Sequence, residues 1–564
     1  MLCGLGRANA AVEGGTPRLG TDGGVAAVIE QGQLAGPLSE SVADLCRRLQ
    51  SQVSPRTAAG FGEVLRRLAA PLQVAVAGRI KSGKSTLVNA LIGRRVAPTG
   101  IGECTRLVTR FQYGTVDRIE VVRTDGTTAV LPFGADGMIP ASLGVDPKSV
   151  SHVEVYLTNA VLRGMTVIDT PGLGSLDAAS SRRTEELLGG AGGAAATPGA
   201  AEGGEAAELD RTSRDAVAGA EAVLYVVTQH VRADDQQALA AFTAATASRE
   251  AGPVNALALL NKADTVVAET VDGADGDSWL AASLLAEAQA AALRPRVADV
   301  IPVIGLLAET AETGGFTSAD AEALRELAGL GDDDLSMLTM SADLFTSWEC
   351  EVPTAARTRL LERLDLYGIQ RCVTAIREHP EITTGALRRA IVDASGLEAV
   401  RSRLHTLFAA RADGIKAAAA LASVTALADA SGDPVERSRV HDAIEVLLGR
   451  PEAHQLRMLE ALTLVASGAV DMPDDLCEEI QRVGSNSGAE ARLGMPGASL
   501  AELADEALER AGWWRSFASF GATPAQSRIA HVVHRSYFLL WQELRSTGQQ
   551  PAGQEGTARY GGDR

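Results

Sequence analysis

The stretch Gly78-Arg79-Ile80-Lys81-Ser82-Gly83-Lys84-Ser85-Thr86 narrows what this chain can fold into more than any other. It satisfies the phosphate-loop pattern G-x-x-x-x-G-K-[ST], and its flanks supply the context the pattern needs. Ahead of it, Gln73-Val74-Ala75-Val76-Ala77 is a short apolar run that predicts a buried strand. Behind it, Leu87-Val88-Asn89-Ala90-Leu91-Ile92-Gly93 predicts a helix closed by glycine. Strand, glycine loop and helix together wrap backbone N–H groups and a helix N-terminus around phosphate oxygens. In that frame Lys84 neutralises the β- and γ-phosphates, and the Ser85 hydroxyl is placed to bind Mg²⁺. The expected fold is α/β, a nucleotide domain with a mainly parallel sheet.

Two more motifs follow in an informative order. Met165-Thr166-Val167-Ile168 leads into Asp169-Thr170-Pro171-Gly172, a D-x-x-G placed after an apolar strand. Asp169 can hold the Mg²⁺ shell through water, and Gly172 can offer its N–H to a γ-phosphate. The predicted strand Val254 to Leu260 then runs into Asn261-Lys262-Ala263-Asp264, the guanine-reading N-K-x-D. Asp264 would accept hydrogen bonds from N1–H and the exocyclic amine, donors that adenine does not present together. Asn261 would secure the far edge of the base and the Lys262 stem would cover its face. The loop Gly305-Leu306 after the last predicted strand, Val300 to Ile304, should back the base, although the usual Ser-Ala pair is missing there. Other strand-like runs are Leu107–Tyr113, Ile119–Arg123, Val153–Leu157 and Ala222–Val227. P-loop, D-x-x-G and N-K-x-D in that order, with a threonine-bearing loop between the first two, make a GTPase.

Composition limits the partners. The chain has 564 residues, room for two to four domains, and a formal charge of −19, which gives no general affinity for nucleic acid phosphates. Six scattered cysteines lack metal or redox spacing and read as reduced cytosolic thiols. Residues 1–24 lack the apolar core of a signal peptide, and no apolar run approaches the ~18 residues of a membrane span. A cytoplasmic protein, at most peripheral to the inner face of the plasma membrane, is expected. Lysine occurs only at Lys81, Lys84, Lys148, Lys262 and Lys416, against 47 arginines. Three of the five lie in the nucleotide motifs, where a compact ammonium differs in kind from a guanidinium.

Residues 77–91, with Pro98-Thr99-Gly100 and Cys104-Thr105 after them, resemble the bacterial dynamin-like GTPases. The actinobacterial branch with the isoniazid-inducible dynamin-like proteins is the most similar. That resemblance implies a large GTPase with a helical stalk that binds GTP and Mg²⁺, pairs through its GTPase heads and remodels membranes. It also implies Thr105 as the switch threonine that closes on Mg²⁺ and orients water. Metal ligands would then be Ser85, Thr105 and Asp169, and the catalytic set Lys81, Thr105 and Gly172. The nucleotide site would comprise residues 78–86 (Gly78, Arg79, Ile80, Lys81, Ser82, Gly83, Lys84, Ser85, Thr86), Asp169, Gly172, Asn261, Lys262, Asp264 and Gly305. In guanylate-binding and atlastin-type relatives the fourth phosphate-loop residue is an arginine that swings in on dimerisation. Dynamins proper place a serine there and recruit a monovalent cation. This chain has Lys81, which could serve as a built-in cation. The resemblance implies a GTP-dependent homodimer, or a hetero-oligomer with a paralogous dynamin-like protein, at a peripheral membrane surface. A weakly hydrolysing nucleotide-gated scaffold, and an Era-type RNA- or ribosome-linked GTPase, are the alternatives. The acidic balance counts against the second.

The rest of the chain reads as helix. Residues 1–33 should be a disordered tail, 34–71 neck helices, 72–411 the GTPase domain, 412–546 a helical stalk and neck bundle, and 547–564 a polar tail. A Gly/Ala-rich insertion at 189–207 should be disordered. The expected first stalk helix runs unbroken from 398 to 430, and the closing helix, with Ile529, Val533, Tyr537, Leu540 and Trp541, returns to pack on residues 34–70. Trp513, Trp514, Phe517 and Phe520 are expected in the bundle core rather than as a membrane wedge. A tip loop spans Gly468 to Pro496.

Overall fold

The computed structural model describes residues 34–99, 107–171, 220–229, 236, 239, 255–293, 297–450, 453–466, 470–486 and 488–548. The tails, the insertion at 189–207, Thr105 and Gly172 lie outside the described residues.

Among the described residues a nine-stranded sheet has the order β4-β3-β5-β2-β6-β1-β7-β8-β9. Its parallel half comprises β6 (Met165–Asp169), β1 (Leu72–Gly78), β7 (Ala222–Val227), β8 (Ala256–Asn261) and β9 (Val300–Val303). Every residue of β7 and β8 is buried, as a strand covered on both faces requires. A mixed extension adds β2 (Thr109–Tyr113), β3 (Arg118–Arg123), β4 (Thr128–Leu131) and β5 (Val150–Leu157), with β2 antiparallel to β6. Five of the eight strand pairings among the described residues are parallel, so the sheet is mainly parallel as expected. Its edge strand β4 was not legible because half of its residues are exposed.

Alternate residues of the central strands feed two cores. Val74, Val76, Leu224, Val226, Leu257 and Leu259 face α3 (Lys84–Ile92). Ala75, Ala77, Val223, Tyr225, Ala258 and Leu260 face the other side. There lie α4 (Ser278–Leu293), α5 (Gly305–Glu312), α6 (Ser318–Ala328), α7 (Asp332–Leu338), α8 (Ala342–Ser347), α9 (Thr354–Glu378) and α10 (Thr384–Ser395). Helix α9 contains one non-helical residue, Asp365, at φ 52° and ψ 178°.

Three expectations about the helical part are corrected. The helix from 398 to 430 is broken: α11 (Leu397–Leu407) ends in a short 3₁₀ turn at Ala409–Arg411 before α12 (Ala412–Asp429). Leu397, Val400, Leu404, Leu407 and Phe408 join the core of the sheet, so α11 belongs to the head, and α12 extends only about 27 Å at ~1.5 Å per residue.

The second correction concerns the neck. The helices from the first part of the chain, α1 (Pro37–Leu49) and α2 (Pro55–Ala69), pack on α12 and α13 (Pro434–Leu448). Side chains from those partners bind the N–H groups at their starts. Asp413 accepts from the N–H groups of Leu38 (3.0 Å) and Ser39 (2.8 Å), and Glu436 accepts from Ser54 N–H (2.8 Å). Small residues Ala417, Ala418, Ala420 and Ala428 on α12 let the helices approach closely. The closing helix α18 (Pro524–Gly548) instead packs with α14 (His454–Ala466), α15 (Asp474–Ser485), α16 (Ala489–Leu493) and α17 (Leu500–Phe520). Its buried Tyr537 donates to Glu479 (2.7 Å), which also accepts from Trp514 Nε1 (3.0 Å) and Arg510 Nε (2.8 Å). A large side chain committed to that network cannot also fill an alanine-lined groove.

The third correction is the supposed tip loop, which is largely helical: α15 and α16 occupy it, and Val470 and Met472 are buried. The aromatic cluster divides. Trp514 is fully buried as expected, but Phe520, at the end of α17, is 91 % exposed. No helix of the described residues is long and apolar enough to cross a membrane.

Candidate functional site

The phosphate loop leaves β1 at Gly78, whose φ of 143° and lack of a side chain are both needed. A Cβ there would lie 2.4 Å from the Val226 carbonyl oxygen. Lys84 enters the cradle from the first turn of α3. It is buried, and its ammonium donates to the Gly78 (3.0 Å) and Arg79 (2.9 Å) carbonyl oxygens. Burial holds its pKa below the ordinary lysine value, and Asp169 pulls it partly back. The Lys84 ammonium is therefore stationed over the loop by backbone oxygens that phosphate can replace.

Asp169 ends β6 beside the loop, where its Oδ2 accepts from Ser85 Oγ at 2.7 Å. Its Oδ1 and the Ser82 Oγ are shielded without a hydrogen-bond partner. Burial pushes the Asp169 carboxyl up to about 6, against the pull of Ser85 and Lys84. An orphaned carboxylate oxygen next to a serine hydroxyl fits a divalent cation that also binds phosphate. Ser85 and Asp169 would hold Mg²⁺, which would supply positive charge against phosphate. Thr170 anchors this corner by donating from Oγ1 to the Val76 carbonyl at 2.9 Å.

The base-side motif reaches the same edge. Asn261 does more than the motif alone suggests: its Nδ2 donates to the Ser82 carbonyl (2.7 Å) and its Oδ1 accepts from Gly305 N–H (2.9 Å). One buried side chain thus ties the phosphate loop to the start of α5. Gly83, at φ 91°, leaves room for that tie, since a Cβ would stand 2.2 Å from Asn261 Nδ2. Gly305 is buried as the first residue of α5. Lys262 is exposed at φ 61°, and the half-buried Asp264 follows in a 3₁₀ turn.

Burial first, and the Asp365 carboxylate second, push Asp264 up to about 6. If Asp264 reads guanine, the base's donors require the ionised form, so the bound state would stabilise the anion and binding would release a proton. Affinity should be level above pH 7 and should fall as pH drops through 6, by about tenfold at pH 5. Titrating GDP by calorimetry in the presence of EDTA isolates this group from metal binding, and equal affinity at pH 5 and 7 would contradict it.

The expected residues Gly78 to Thr86, Asp169, Asn261, Lys262, Asp264 and Gly305 are thus gathered at the ends of β1, β6, β8 and β9. Ile80 and Lys81 are exposed on the loop. Asn89 was not among them. Fully buried on α3, it accepts from the N–H groups of Val96 (3.0 Å) and Ala97 (2.8 Å) and donates to Glu309 (2.7 Å). It fixes the chain at Val96 and Ala97. No group of three or more metal-ligating side chains occurs among the described residues.

The model of the dynamin family matches residues 74–251. The isoniazid-induced protein IniC of Mycobacterium tuberculosis is 31 % identical over 476 residues, 83 % of this chain and 90 % of that protein. The chain belongs to the dynamin family. IniA of the same organism is 33 % identical to this dynamin-family chain over 112 residues, 19 % of it and 18 % of IniA. A solved structure of an oligomerised bacterial dynamin pair covers 90 % of each chain at 13 % identity and a TM-score of 0.29.

Proposed function

We propose that this dynamin-family chain binds GTP with Mg²⁺, hydrolyses it on pairing of its GTPase heads, and couples hydrolysis to movement of its helical part at a membrane. The observation that carries the nucleotide reading is the Asn261 tie. It joins the phosphate loop, the N-K-x-D segment and Gly305 into one site, with Asp169 and Ser85 beside it. Thr105 and Gly172 are assigned to the γ-phosphate side, and Lys81 to transition-state charge. The membrane reading draws support from Phe520, which among the described large apolar side chains is the most exposed.

Calorimetry with GTP and ATP tests the core of the proposal. GTP should bind far more tightly, and Asp264→Asn should weaken GTP by at least about tenfold while favouring xanthosine nucleotides, because an acceptor facing N1–H becomes a donor. Equal affinity of the unaltered protein for ATP and GTP would refute it. Co-sedimentation with liposomes, with and without a GTP analogue, tests the membrane step. A protein that binds GTP but sediments only with a paralogous partner would point to the scaffold.

A further inference from the structure

The turn that carries Asp264 is gripped by a side chain that belongs to none of the nucleotide motifs. Gln229 stands two residues past the end of β7. In the parallel pairing of β7 with β8, Val227 lies beside Leu260, so the chain after β7 runs alongside the start of N-K-x-D. There the half-buried Gln229 reaches across. Its Nε2 donates to the Thr265 carbonyl oxygen and, at 2.9 Å, to Thr265 Oγ1. A carboxamide nitrogen carries two hydrogens, so one side chain can make both bonds, and only its nitrogen can face a carbonyl. The Thr265 hydroxyl hands the contact on by donating to the Lys262 carbonyl at 2.7 Å.

Asp264 lies between the two residues joined in this way. It is the middle residue of a single 3₁₀ turn, Ala263–Thr265, entered through Lys262 at φ 61°. A turn this short has poor internal hydrogen-bond geometry and depends on its surroundings for a fixed shape. Buried Ala263 and Val266 root it in the core on either side of Asp264. Asn261 holds its start, through Ser82 and Gly305, and Gln229 holds its end. Gln229 is itself fixed from behind. The buried Gln289 of α4 donates from Nε2 to the Gln229 carbonyl at 3.0 Å.

We propose that Gln229 is a positioning residue for base recognition, which acts through Thr265 to aim the Asp264 carboxylate. The proposal deepens the guanine reading above and rests on it. A carboxylate that takes N1–H and an amine hydrogen together makes two parallel bonds, and such a fork tolerates little rotation. The relay from Gln229 through the Thr265 hydroxyl to Lys262 closes the turn over its full length, so the direction of Asp264 is set before the base arrives.

The test measures GDP binding by calorimetry, with Mg²⁺, and melting temperature in the full chain. Gln229→Ala removes a half-buried side chain, so its melting temperature should stay level, while GDP affinity should fall about fivefold to tenfold. Thr265→Val, which keeps the shape and loses the hydroxyl, should show part of that loss, and Thr265→Ser should bind GDP as the unaltered chain does. The deciding comparison is a double-mutant cycle with Asp264→Ala. If Gln229 acts by aiming Asp264, its removal should cost nothing further once that carboxylate is gone. An unchanged GDP affinity in Gln229→Ala, or the same fold loss with and without Asp264, would overturn the proposal and leave Gln229 as a structural brace. Failure of the unaltered chain to prefer GDP over ADP would instead remove the guanine reading beneath it.

Discussion

Lys416→Ala should destabilise the protein by about 3–5 kcal/mol, the cost of stranding a buried partner charge. Lys416 is 2 % exposed, and its ammonium donates to the Arg67 carbonyl at 2.8 Å and to Glu221 Oε1 at 3.4 Å. Glu221 is 5 % exposed, and its other oxygen accepts from Gln73 N–H at 3.0 Å, at the start of β1. One ion pair therefore fastens α12 to the end of α2 and to the first residues of β1 and β7. Desolvation lowers the Lys416 pKa more than the Glu221 carboxylate restores it, so the pair stands on its geometry and not on a large Coulombic surplus. Removing only the lysine leaves the Glu221 carboxylate with one N–H in place of a cation. The pairing predicts partial rescue: Lys416→Met combined with Glu221→Gln should recover most of the lost melting temperature, because neither side then buries a lone charge. A single variant that melts with the unaltered protein would show that water reaches Glu221 and that the pair contributes little.

Lys416 also marks the limit of what the sequence made legible. The nucleotide site could be read because its motifs are local: a phosphate loop between a strand and a helix specifies its own geometry in nine residues. Even there the role of Asn261 was only half visible. Its bonds to Ser82 and Gly305 join segments far apart in the chain, and no spacing rule encodes them. The sequence places neck helices over 34–71, but it could not say which helices cover the buried faces of α1 and α2. The partner choice rests on carboxylates from more than three hundred residues away, Asp413 and Glu436, that bind backbone N–H groups at the helix starts, and on the small side chains of α12. The same limit explains the helix wrongly extended through Phe408. Apolar periodicity continues across the 3₁₀ turn there, while Phe408 itself is buried in the core of the sheet. Asp365 left no local sign at all, since an aspartate on a half-exposed helix face is ordinary until its backbone is seen.

Lys81→Ala should lower GTP turnover at least about tenfold while leaving GTP affinity nearly intact. Phosphoryl transfer spreads negative charge over the transferring group, and added cations there are worth 10³–10⁵ in rate in GTPases supplied with an arginine finger. In this chain Lys84 is buried and committed to the loop's own carbonyls, so on the proposed reading it would serve the β- and γ-phosphates in the ground state. The position after D-x-x-G is Leu173, which cannot position water as a glutamine does. Lys81 is different from Lys84 in both respects that matter. Its side chain is exposed, and its backbone holds φ 64°, a left-handed conformation that costs a lysine free energy and that glycine would adopt freely. An exposed cation on a fixed loop can be desolvated when a second head covers the site, and its charge then acts on the transition state in a low dielectric. It follows that hydrolysis should not need potassium or sodium, and that Lys81→Ser should regain part of its turnover in potassium. Affinity and turnover must be measured separately, at protein concentrations high enough to populate pairs. Unchanged turnover, or a loss confined to binding, would remove Lys81 from the chemistry and leave the added charge to come from another residue.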